Sequence, residues 1–106
     1  MLNLSFQNQV QSLILERESI DDNDPAVYKF WNKLSTFLAE NEEDTIQFLN
    51  NCSPEDALTI SEVFEDVSEK LQSQAYINCL ENLGLKYPDL NLESSIKVAK
   101  DFFSGS

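Results

Sequence analysis

At 106 residues the chain has the length of one domain, and 42% hydrophobic with 25% charged residues is a globular composition. Nineteen acids against seven bases give a net charge of −12, which argues against direct nucleic-acid binding, because a polyanion is bound through lysine and arginine. Two glycines and three prolines are too few for an all-β fold, which needs a turn roughly every 8–12 residues.

Taken in chain order, the opening stretch MLNLSFQNQVQSLILERES lacks a basic region and a small-residue cleavage site, so it does not read as a signal peptide. Phe6, Val10, Leu13 and Ile14 recur at helical spacing and predict a first helix over about 3–18. The segment SIDDNDP ends it, with Asp24 as an N-cap and Pro25 at the first position of the next helix. Val27, Phe30, Trp31, Leu34, Phe37 and Leu38 form the apolar face of that second helix, to about Glu40, with Trp31 and Phe37 expected at the centre of the core.

The acidic link ENEED leads into a short third helix, about 43–51, burying Ile46 and Leu49 near Phe48. Ser53-Pro54-Glu55-Asp56 has the order of an N-cap, a proline and first-turn acids, and predicts a fourth helix running unbroken to about Leu71. A fifth carries Tyr76, Ile77, Leu80 and Leu83, with Gly84 either ending it or lying in its last turn. Asn91 is the expected cap of a sixth helix bearing Ile96, Ala99, Phe102 and Phe103. The expectation is an all-α single domain over 1–106, an irregular bundle of about five or six helices, with sequential helices packed antiparallel.

The fourth helix carries the most unusual pattern. On a wheel at ~100° per residue, Ala57, Ile60, Val63, Phe64, Val67 and Leu71 share one side. Glu55, Glu62, Asp66 and Glu69 form a stripe opposite, flanked by Glu65 and by the apolar Leu58. Like charges four residues apart cost a few tenths of a kcal/mol each, so helix stability alone would intersperse lysines. A basic protein docking on the stripe would relieve the repulsion, and Glu55, Leu58, Glu62, Glu65, Asp66 and Glu69 are the candidate partner-binding residues. The plainer alternative is a solvated face that serves solubility.

Chemistry is poorly provided for. The chain has no histidine, no glycine-rich phosphate loop and no nucleophile motif, so no catalytic or cofactor-binding residue is assigned and the chain is not expected to be an enzyme. Cys52 and Cys79 stand in no CxxC pattern and read as reduced, buried small hydrophobes. No zinc set exists without histidine, and neither DDNDPAVYKFWN nor DLNLESSIKVAK has the glycine and glutamate of a calcium loop, so no metal is expected. No apolar run reaches the ~20 residues of a membrane span, and the expected location is the cytoplasm.

Residues 60–100, ISEVFEDVSEKLQSQAYINCLENLGLKYPDLNLESSIKVAK, resemble helical immunity proteins of bacterial polymorphic toxin systems, including contact-dependent growth inhibition. The likeness lies in a helix ending EKLQS, a helix with Tyr76-Ile77 and Leu80, and KYPDLNL leading into IKVAK. It implies a small cytoplasmic inhibitor that neutralises the toxin domain of its own operon, by occluding the active site or by locking an exosite. Toxins of these systems are often basic nucleases, which an acidic inhibitor would complement. The resemblance carries over no individual binding residue. The rival readings are a non-enzymatic helical adaptor or structural subunit with a solvated acidic surface, and a nucleic-acid mimic with carboxylates spaced like phosphates.

Overall fold

The computed structural model describes residues 3–104. Met1 and Leu2, which open the stretch read for a signal peptide, lie outside the described residues, as do Gly105 and Ser106. The chain is the all-α bundle its periodicity predicts: α1 (Leu4–Glu18), α2 (Ala26–Ala39), α3 (Glu42–Asn51), α4 (Pro54–Ile60), α5 (Phe64–Leu71), α6 (Gln74–Lys86) and α7 (Glu93–Asp101). Two 3-10 turns, Ser61–Val63 and Pro88–Leu90, complete it. Counting α4 and α5 as one bent rod gives six helices.

Side-chain caps set several starts. Asn3 accepts from the Phe6 amide, Ser53 from Asp56 and Ser73 from Tyr76, each satisfying an amide that has no partner within its helix. The Asp24 carboxylate accepts from the Ala26 N–H at 2.9 Å, but α2 begins at Ala26 with Pro25 in the N-cap position, one residue later than the spacing predicts. Asn91 does not cap α7. It sits in the left-handed region, φ 55°, at the end of the second 3-10 turn, a conformation asparagine tolerates better than most residues. Gly84 lies inside α6, so that helix continues to Lys86.

Packing is largely non-sequential. Helices α2, α5, α7, α6 and α3 neighbour one another in a closed circuit, and α1 crosses α2 and α4. The enclosed core includes Val10, Phe30, Leu34, Leu38, Leu49, Ile60, Phe64, Val67 and Leu80. Three polar side chains are buried with it, and each is paired. Ser68 Oγ donates to the Ala99 carbonyl at 2.6 Å, and Thr45 Oγ1 donates to the Leu38 carbonyl at 2.8 Å. Ser35 Oγ donates to the Asn32 carbonyl. These bonds tie α5 to α7 and α3 to the end of α2, and among the described residues no buried side-chain nitrogen or oxygen lacks a partner.

Two aromatics expected at the centre are on its rim. Trp31 is half-buried because its indole N–H needs an acceptor, which it finds at the surface in Glu62, 3.0 Å away. Phe37 is half-buried and stacks on Phe6 of α1 with ring centroids 5.1 Å apart. Ile46 is also only half-buried; Phe48 and Leu49 carry the inner face of α3. Phe102, expected on the buried face of α7, lies beyond the helix end and is 44% exposed.

The fourth helix is not continuous. Residues Ser61–Val63 tighten into a 3-10 turn, and Val63 leaves helical geometry with φ −119° and ψ 12°. Thr59 Oγ1 donates back to the Glu55 carbonyl and Ser61 Oγ to the Leu58 carbonyl. Such back-bonding bends helices, and Thr59, Ile60 and Val63 are β-branched. Three residues at three per turn instead of 3.6 advance the following helix by about 60°.

Candidate partner-binding surface

The break redistributes the acidic stripe. Glu55 and Leu58 project from α4, Leu58 being 50% exposed. Glu65 and Asp66 are half-buried in the first turn of α5, where the positive end of the helix dipole favours carboxylates. Glu69 is exposed one turn further on. Because α5 packs between α2 and α7, these acids crown a ridge with a hollow on either side. Glu62 and Glu65 line the one toward α7, with Ser61, Ser94, Ser95 and Val98. Glu65 and Asp66 line the one toward α2, with Tyr28, Trp31, Asn32, Ser35 and Lys70. The structure thus brings Glu62, Glu65 and Asp66 together, while Glu55, Leu58 and Glu69 lie outside both hollows.

Glu62 departs from expectation. Expected in a stripe open to a partner, its carboxylate instead takes both ends of Arg17, Nε to Oε1 at 2.8 Å and Nη2 to Oε2 at 3.1 Å. Arg17, the only arginine in the chain, also donates to Asp22 at 2.6 Å and to the Ile20 carbonyl at 3.0 Å. Its hydrogen bonds to Glu62 first, then to Asp22, hold the guanidinium pKa further above its already high ordinary value. Arg17 and Glu62 are far apart in sequence and on different helices, so no local spacing announces them. The one hint was a lone arginine on a helix with few other charges.

Several acids elsewhere on the surface are also engaged inside the chain. In DDND, Asp21 accepts the Asn23 amide, Asp22 holds Arg17 and Asp24 accepts the Ala26 amide. In ENEED, Glu42 accepts from Ser73 Oγ and Asp44 from Asn3 Nδ2. Asp56 accepts from Gln11 Nε2 at 2.8 Å. By contrast Glu55, Glu65, Asp66 and Glu69 enter no ion pair among the described residues, where Arg17, Lys33 and Lys100 are the bases engaged.

Tyr28 is a surface residue that the sequence reading overlooked. It is 69% exposed on α2 and stands edge-on to Trp31, centroids 5.4 Å apart and planes at 87°. Its signal was present in the sequence, since it falls on the polar side of the second helix's periodicity. Aromatic side chains are enriched at protein interfaces relative to the rest of the surface.

Among the described residues, no group of three or more histidine, cysteine, aspartate or glutamate side chains is placed to hold a metal ion. No described helix is long and apolar enough to cross a membrane. Both cysteines are free and buried, and burial pushes each thiol up to about 11. Comparison of the chain with protein-family models, with curated proteins and with solved structures found no match.

Proposed function

We propose that this chain is an immunity protein: a non-enzymatic helical domain that binds a cognate bacterial toxin domain, a basic nuclease in the simplest case, and neutralises it. The observation that supports this best is the ridge of α5. Glu65, Asp66 and Glu69 gather within two turns of one helix and enter no ion pair among the described residues, whereas Glu62 beside them is held by Arg17. Glu65 and Asp66 share a hollow with an exposed aromatic, Tyr28, on a protein of net charge −12. Such a surface steers a basic partner in and discourages acidic ones. The test is co-expression with the polypeptide encoded directly upstream. Stable co-purification and loss of that polypeptide's toxicity are expected; unimpeded toxicity in the presence of excess inhibitor overturns the reading.

A second reading, an adaptor or structural subunit whose acids serve only its own fold, draws on the first-turn position of Glu65 and Asp66. Neutralising Glu65, Asp66 and Glu69 to their amides separates the two. Unchanged partner binding by the folded variant favours the intramolecular role. Weakened partner binding by the folded variant favours the interface.

A further inference from the structure

We infer that the hollow between α2 and α5 receives an arginine side chain from the partner, an inference that rests on reading the ridge as a partner-binding surface. The hollow is more than a group of acids. One wall is aromatic: Tyr28, largely exposed, set edge-on to Trp31. Trp31 is the chain's single tryptophan, and its N–H is fastened to Glu62, which Arg17 holds in turn. The wall is therefore fixed before any ligand arrives. The opposite wall is Glu65 and Asp66, both half-buried and in no ion pair among the described residues.

A planar, delocalised cation matches both walls at once. A guanidinium stacks on aromatic rings and offers its N–H fork to carboxylates. An ammonium is a compact, strongly hydrated point charge and exploits the aromatic wall less well. Lys70 also lines the hollow. Its charge opposes an incoming cation, so its removal is expected to tighten binding.

The single tryptophan supplies the readout, one indole N–H resonance in a nitrogen-15 correlation spectrum. The protein is titrated at low salt with argininamide, lysinamide and citrullinamide, which share the α-amino group and differ at the side-chain tip. Argininamide is expected to shift the Trp31 resonance saturably. Lysinamide should bind roughly threefold more weakly and citrullinamide should give no saturable shift. Tyr28→Ala is expected to weaken argininamide binding roughly threefold or more, Asp66→Asn roughly tenfold, and Lys70→Gln to strengthen it. All three side chains sit at the surface, and the remaining amide spectrum confirms that each variant is folded. Absence of a saturable argininamide shift overturns the inference. So does equal binding of citrullinamide or lysinamide, or Tyr28→Ala binding as well as the parent. Neutralisation of the upstream toxin with no argininamide site would sink the hollow and leave the function standing. Argininamide binding without any toxin neutralisation would do the reverse.

Discussion

Arg17 of α1 and Glu62 of the 3-10 turn face each other across the surface with two parallel hydrogen bonds, 2.8 and 3.1 Å, and Trp31 of α2 donates to the same carboxylate. One acid thus joins three helical elements at the point where the α4–α5 rod bends. The Arg17 side chain is 13% exposed and that of Glu62 is 31% exposed, so water screens the pair only in part. Arg17→Met is expected to lower stability by about 1–2 kcal/mol, the range for hydrogen bonds to charged groups after some screening. Glu62→Gln, which keeps an acceptor for Trp31, should cost less. The midpoint of urea unfolding measures both, and a cost of Arg17→Met below the error of the melt would mean the bridge is only a surface contact.

Alkaline pH tests the buried thiols. Cys52 and Cys79 are pushed from 9.0 to about 11, burial being the largest cause in each case. A folded-state pKa above the unfolded one means that the folded chain holds these protons more tightly. The stability so gained is complete below about pH 9 and is lost as pH rises toward 11. A two-unit shift corresponds to about 2–3 kcal/mol per thiol at most. The buried Tyr76 hydroxyl, also raised, extends the fall to higher pH. Urea midpoints at pH 7.5, 9 and 10.5 should therefore decline steeply in the parent and less steeply in Cys52→Ala/Cys79→Ala. Parallel declines would show that the thiols do not carry the effect.

The helices were legible because each buries a periodic apolar face and several begin beside a polar cap: Ser53, Asp24 and the face Val27–Leu38 are read directly from local spacing. What stayed hidden depends on partners distant in sequence. The wheel that placed Glu62 in line with Glu55 and Glu69 assumed an unbroken helix. The back-bonding of Thr59 and Ser61, with the β-branched Ile60 and Val63, was the available warning. Hydrophobicity placed Trp31 in the core, but its one polar atom drew it to the rim. The acids of α5 follow from its own periodicity, whereas the capture of Glu62 by Arg17 depends on the packing of α1 against α4.

Gly84 offers a test of how tightly α6 and α7 meet. A Cβ at this position would lie 2.9 Å from Ile96 Cδ1, too close unless the isoleucine turns away. Alanine is worth about 1 kcal/mol over glycine within a helix, while forcing Ile96 off its rotamer costs about the same. Gly84→Ala alone should accordingly change stability little. Ile96→Val removes the obstructing methyl, so the double variant should be more stable than the two single effects predict, by about 1 kcal/mol. Thermal or urea melts of the four-member cycle give this coupling directly, and strict additivity would mean that Ile96 yields freely.

Binding of the proposed toxin partner should distinguish a local ridge from a merely acidic protein. Glu65, Asp66 and Glu69 are reversed to lysine in one variant; Glu18, Glu40 and Asp89, exposed acids that line neither hollow, are reversed in a control. Both change net charge equally, so long-range steering falls by a similar amount in each. Glu62 is left intact, because reversing it would set a lysine against Arg17 and confound binding with folding. The ridge variant loses favourable contacts with the start of α5 and should give up about 1 kcal/mol of stability, which leaves a folded chain to assay. If the ridge is the contact surface, its variant should associate more slowly than the control and also dissociate faster, with roughly tenfold or greater loss of affinity beyond the control's. Equal losses in the two variants would mean that net charge alone governs the encounter and that the contact lies elsewhere on the surface.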